Sequence, residues 1–103
     1  FFSERILIMA SRHIVNLSRN IRELRLHLCQ TSESSLGARN FIEKYYVDIK
    51  RNNPELPILI RECSGIQPKI TARYAFGVEK TVSLADHPAE YVVATIENLA
   101  KNV

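Results

Sequence analysis

Two short apolar runs, each ending in cysteine, leave little freedom in how this chain can fold: Leu24-Arg25-Leu26-His27-Leu28-Cys29 and Pro57-Ile58-Leu59-Ile60-Arg61-Glu62-Cys63. The first alternates apolar and polar residues, the pattern of a strand with one buried face. The second is continuously apolar, the pattern of a strand buried on both faces. The interval between them has room for one helix, so the two strands are expected to form a parallel β-α-β unit, whose crossover needs about a dozen residues or more. Adjacent parallel strands would bring both thiols to one edge of the sheet. That edge, beyond the carboxyl ends of the strands, is where open α/β sheets place their chemistry.

The remaining patterns supply the other elements. Gln30 to Ser35 reads as a polar loop whose last residues suit a helix cap. Ala38, Phe41, Ile42, Tyr45, Tyr46 and Ile49 follow at helical spacing, with Lys44, Asp48, Lys50 and Arg51 on the wet side. Asn52-Asn53-Pro54 stops that helix, because proline disfavours helical geometry in the residue before it. Ser64 to Pro68 is a turn. Lys69 to Phe76 alternates again, with Ile70, Ala72, Tyr74 and Phe76 pointing one way and Lys69, Thr71 and Arg73 the other. Gly77 breaks the pattern, and Glu79 to Leu84 is the hairpin partner. A last helix starts at Asp86, carries Pro88 in its first turn, and repeats Ala89, Val92, Val93, Ile96, Leu99 and Val103 on one stripe.

The order β-α-β followed by β-β-α is the layout of the thioredoxin fold. The expected class is therefore α/β: a thioredoxin-like, four-stranded mixed sheet with a helix on either face over residues 22–103, preceded by a basic amphipathic extension over residues 1–21. In that fold the loop after the first strand holds the reactive cysteine. Here Cys29 is followed by Gln30-Thr31-Ser32, so the second cysteine of a CxxC pair is absent.

At 103 residues the chain has room for one core and not for a core plus a deep substrate cleft. Its two cysteines are too few for a disulfide-built scaffold, and no Cys/His cluster or His-x-x-x-His spacing points to zinc or an iron–sulfur site. Three glycines leave no Gly-rich phosphate loop. No apolar stretch reaches the roughly 17 residues a membrane span needs. The net charge of +3 permits an acidic partner without selecting one.

The first 22 residues carry one acid, Glu4, against Arg5, Arg12, Arg19 and Arg22, with Ile6, Met9, Ala10, Ile14, Leu17 and Ile21 on a separate helical face. An Arg- and Ser-bearing, acid-poor amphipathic start is what a mitochondrial targeting segment looks like; a surface helix or a disordered basic arm fits equally. The chain opens on Phe1, so a preceding piece is expected to be missing or removed, with Met9 as an alternative start. Asn16-Leu17-Ser18 matches the glycosylation pattern but follows no secretory signal.

Four blocks carry a family likeness: residues 22–30, residues 39–46, residues 53–64 with their Pro-Ile-Leu-Ile-Arg-Glu-Cys core, and residues 67–77, which include Ala72-Arg73-Tyr74-Ala75-Phe76-Gly77. Together they closely resemble the small thioredoxin-like accessory subunits of mitochondrial respiratory complex I, over about Arg22 to Lys101. The resemblance implies a protein that is not a catalyst and holds no cofactor. It would sit at the inner membrane, on the matrix-facing peripheral arm, beside the large iron–sulfur subunit, supporting assembly or stability of the NADH-oxidising module. It also implies that Cys29 and Cys63 can pair as a disulfide and respond to redox state. A mitochondrial ribosomal large-subunit family shares the fold but carries a further basic carboxyl-terminal portion.

Weighed on chemistry alone, Cys29 and Cys63 are as readily two buried thiols as a redox pair. Thioredoxin-type exchange, the enzyme alternative, needs an exposed low-pKa thiolate beside its partner. His27 shares a face with Arg25 and Cys29 and suits a structural or interface role; His13 and His87 have no partner in view. Arg39, Arg61 and Arg73 are expected to form a positive face for an acidic partner surface. Tyr45 and Tyr46 follow core spacing rather than the exposed basic setting that RNA binding would need.

Overall fold

The computed structural model describes residues 17–101, and the expected targeting character of the first sixteen lies outside the described residues. Four strands are present: β1 (Glu23–Leu28), β2 (Ile58–Glu62), β3 (Lys69–Arg73) and β4 (Glu79–Ser83). Between β1 and β2 runs one long helical element, α1, made of Leu36–Phe41, a π turn over Ile42–Tyr46, and Val47–Asn52. The last helix, α2, is Ala89–Lys101. The sheet order is β2-β1-β3-β4, with β1 parallel to β2 and antiparallel to β3, and β3 antiparallel to β4.

β1 is the central strand, and its burial alternates as its sequence does. Leu24, Leu26 and Leu28 are buried while Glu23, Arg25 and His27 are half-exposed on the other side. Register puts Ile58 and Ile60 of β2, and Ile70 and Ala72 of β3, on the same side as those leucines. Phe41 and Ile49 of α1 and Ile96 of α2 close over that side around a small apolar crevice. Both helices therefore lie on one face. The expected three-layer arrangement, with a helix on either face, is replaced by two layers: neither described helix packs on the face bearing Arg25, His27, Arg61, Lys69, Thr71, Arg73 and Thr81.

That correction entails another. β2 is an edge strand, and Ile58, Leu59 and Ile60 are only half-buried, so its continuous apolar run does not mark burial on both faces. The run packs one side against the helices and leaves Leu59 on the open face.

The helices touch each other directly. Gly37 at the start of α1 sits so close to the His87 carbonyl that a Cβ there would lie 1.7 Å from the oxygen. The Tyr45 hydroxyl donates to Glu90 across the pair at 3.1 Å. The π turn adds a residue to the middle of α1 and re-phases its second half. Phe41 and Ile49 are thereby both fully buried, while Ile42, Tyr45 and Tyr46 between them are half-exposed.

Three boundaries move. Leu17 and Ile21, placed by pattern in the extension, are core residues, 1% and 0% exposed. Asn53 holds them: its side-chain oxygen accepts from Leu17 N–H and its amide donates to the Ile49 carbonyl, both at 2.9 Å. β3 ends at Arg73 because the chain turns there, so Phe76 does not join Ile70, Ala72 and Tyr74 inside but stands wholly in solvent. α2 starts at Ala89 rather than Asp86, whose positive φ of 61° places it in a turn tied to Ser34 by its N–H.

Candidate functional site

The carboxyl ends of β1 and β2 lie side by side, as the parallel pairing requires. The Cys63 N–H continues the ladder by donating to the Leu28 carbonyl at 3.0 Å. Cys29 leaves β1 and enters a loop clamped from two sides. Its N–H donates to Ser35 Oγ at 3.0 Å, and Arg39 Nη1 donates to the carbonyls of Cys29 and Ser32, each at 2.9 Å.

The Cys29 thiol is cradled by polar hydrogens. Gly65 N–H points at Sγ from 3.3 Å and the Thr31 hydroxyl stands 3.7 Å away. The backbone N–H of Thr31, then those of Gly65 and Ser32, then the Thr31 hydroxyl stabilise the thiolate and lower its pKa to about 6, with burial opposing them. The turn that delivers the Gly65 amide needs φ of +78°, which glycine adopts without strain. Cys29 is only 2% exposed, with the Gly65 amide against its sulfur.

Cys63 is exposed, and both cysteines are free thiols. The disulfide implied by the family likeness is not formed: Cys29 Sγ turns to the Gly65 amide while Cys63 faces solvent. The fold brings the two cysteines to one sheet edge but gives them different surroundings.

The three arginines separate as well. Arg61 and Arg73 lie on the open sheet face, but Arg39 is used up inside the Cys29 loop. Arg61, His27 and Lys69 form one row across the open face by register, and Glu23, Arg73 and Glu79 form another. Arg25 ion-pairs with Glu23 at 2.5 Å and Glu79 at 3.4 Å, leaving Arg61 and Lys69 with no carboxylate partner among the described residues. Burial, then Lys69, Arg25 and Arg61, push the His27 pKa down, and its Nδ1 is buried with no partner among the described residues. Ser35 and Gly65, legible in the sequence only as a helix-cap residue and a turn residue, both turn out to hydrogen-bond Cys29.

Among the described residues no cluster of three potential metal ligands occurs, and no helix is long and apolar enough to cross a membrane.

Comparison with known proteins places these features. The profile of the mitochondrial ribosomal protein L51 / S25 / CI-B8 domain matches residues 38–89. NADH dehydrogenase [ubiquinone] 1 alpha subcomplex subunit 2 of Mus musculus is 51% identical over 90 residues, covering 87% of this chain and 91% of the mouse protein. The Arabidopsis thaliana protein of that name is 48% identical over 84% of this chain and 90% of its own length. The chain belongs to the alpha subcomplex subunit 2 family. A fungal NADH-ubiquinone oxidoreductase 10.5 kDa subunit, from Neurospora crassa, is 39% identical across 91% of this chain and 98% of its own. The mouse large ribosomal subunit protein mL43 is 27% identical, and the matched region is 45% of its length. The alpha subcomplex subunit 2 relatives thus match nearly end to end, while the match to the ribosomal protein takes in less than half of its length.

Proposed function

We propose that this chain is a non-catalytic accessory subunit of mitochondrial respiratory complex I, held on the matrix-facing peripheral arm at the inner membrane beside the large iron–sulfur subunit. There it supports assembly or stability of the NADH-oxidising module. The observation that carries this reading is the near full-length identity to alpha subcomplex subunit 2 relatives in an animal and a plant. The β2-β1-β3-β4 sheet, with its parallel first pair and antiparallel hairpin, supports a thioredoxin-like ancestry reduced to one helical layer. Arg61 and Arg73 on the open sheet face supply the positive surface for an acidic partner.

Mass spectrometry of native membrane complexes from the source mitochondria tests the assignment. Comigration with complex I subunits is expected; comigration with the large ribosomal subunit, or migration as a free small protein, would overturn it.

The redox reading of Cys29 and Cys63 rests on the Cys29 cradle. In exchange with a disulfide, Cys29 is the nucleophile of the pair: its thiolate attacks one sulfur, the S–S bond breaks, and the other sulfur leaves as a thiolate while the mixed disulfide forms. Exposed Cys63, beside it in register, is the second thiol of the pair. A thiol oxidoreductase is the competing function, and the lowered Cys29 pKa is what favours it. A dithiol-reductase assay separates the two, since turnover that Cys29→Ser abolishes would refute the accessory reading.

A further inference from the structure

The two edges of the sheet are finished differently. β4, at one end, carries Glu79, Lys80, Thr81 and Ser83 exposed around a half-buried Val82, and charged side chains on an edge discourage pairing with a further strand. β2, at the other end, presents Ile58, Leu59 and Ile60 in succession, and its charges, Arg61 and Glu62, come only at its last two positions. Its register with β1 is unbroken from Leu24↔Ile58 to Leu28↔Glu62, so no bulge turns the edge away, and no proline interrupts it.

The hydrogen-bond pattern identifies the groups left over. Leu24 N–H donates to the Pro57 carbonyl and Cys63 N–H to the Leu28 carbonyl, each at 3.0 Å, so the odd-numbered residues of this stretch turn their backbone groups towards β1. That alternation runs along a parallel pair. The N–H and C=O of Ile58, Ile60 and Glu62 therefore point outward, where no described strand pairs with them.

The side chains around the edge define what can add to it. Ile58 and Ile60 lie on the helix-covered side, and Tyr46 of α1 lines the same apolar crevice as both. On the open side Lys69, His27 and Arg61 stand in one row across β3, β1 and β2, with no carboxylate bonded to Lys69 or Arg61 among the described residues. The next position in that row suits an acid, since opposite charges directly across a strand pair attract and like charges repel.

We propose that the outer edge of β2 receives an extended segment of another complex I subunit, which adds as a further strand with aliphatic residues beside Ile58 and Ile60 and a carboxylate beside Arg61. The inference rests on the accessory-subunit reading above. Main-chain hydrogen bonds to Ile58, Ile60 and Glu62 hold the segment, and its alternating side chains select it. A second copy is the poorer occupant. Pairing β2 with itself about a two-fold axis matches residues that share a face, and Glu62, the only acid of the strand, lies on the opposite face from Arg61. Every such register within the strand sets Arg61 against Leu59 or another Arg61.

The full chain, expressed in cells lacking the endogenous relative, is compared alone and in native complex I by hydrogen–deuterium exchange. The amides of Leu59, Arg61 and Cys63 are held by β1 in both states. Those of Ile58, Ile60 and Glu62 are expected to exchange at least about tenfold more slowly in the complex. Comigration with complex I and unchanged exchange at those amides would overturn the edge site and leave the accessory role standing; failure to comigrate would overturn both.

Two substitutions at the exposed end of β2 trace the protection to an added strand. Benzoylphenylalanine at position 62 is expected to cross-link, as mass spectrometry of the adduct would show, to a segment with the stated alternation on another subunit; an adduct to a second copy or to this chain's own first residues would refute the proposal. Glu62→Pro removes an outward donor and none that β1 uses, so the urea midpoint of the isolated chain is expected to hold while retention in the complex falls at least about tenfold. Retention equal to that of the unsubstituted chain would refute the ladder.

Discussion

Cys29 shows how little of a side chain's chemistry is written in its own position. Its place at a strand end is legible from the alternation before it, but the cradle that charges it comes from Thr31 two residues on and Gly65 across the sheet edge. Thr31→Val removes one donor, so the pH midpoint of Cys29 alkylation, expected near 6 in the native chain, should move upward, as a pH series of labelling rates read by mass spectrometry would show. The same shift ties stability to pH. Because the folded pKa is depressed below the ordinary thiol value, the contribution is complete above about pH 8.5, shrinks through the window down to about 6, and is absent below it. Denaturation of the native chain and Cys29→Ser across that window should converge at the acid end. Asn53 is a second case: its place before Pro54 marks a helix end in the sequence, yet its larger task is to accept from Leu17 N–H in the core. Asn53→Ala leaves that buried donor unpaired and should cost about 1–3 kcal/mol in urea denaturation.

At the scale of elements, alternation proved a better guide than apolar content. β1 announces one buried face and has one; β2, with three consecutive apolar residues, announces two and lies on an edge. A hydrophobic run states that contacts exist, not whether they come from both sides, and nothing local distinguishes Leu59 from its neighbours. The choice of face for each helix is equally silent in sequence, since it depends on which stripe of α2 meets α1. The contact that fixes it is backbone against backbone at Gly37 and His87. Gly37→Ala should push the helices apart and cost about 3 kcal/mol or more, read as a lower urea midpoint with an unchanged slope. The hairpin between β3 and β4 was legible as a turn from Gly77, but the outward placement of Phe76 was not, because alternation cannot report where a strand stops.

For the whole molecule, the layout is asymmetric in chemistry as well as in covering. One face of the sheet is oil under two helices; the other is a row-by-row arrangement of charge in which Arg25 has two carboxylate partners and Arg61 has none among the described residues. Arg61→Gln and Arg73→Gln, both at exposed positions, should each change stability by less than about 0.5 kcal/mol in denaturation. Their association with the native complex should nevertheless slow and lose its ionic-strength dependence, as pull-down kinetics at two salt concentrations would record. The family was readable in the sequence from four blocks of residues; which arginines share a face was not, since Arg61 on β2 and Arg73 on β3 reach the open face while Arg39 is drawn into the Cys29 loop. The edge at β2 has a consequence for the chain in isolation. Among the described residues no strand pairs with its outer side, and half-wetted Ile58, Leu59 and Ile60 make it a template onto which another strand can add, so an isolated copy is open to edge-to-edge association.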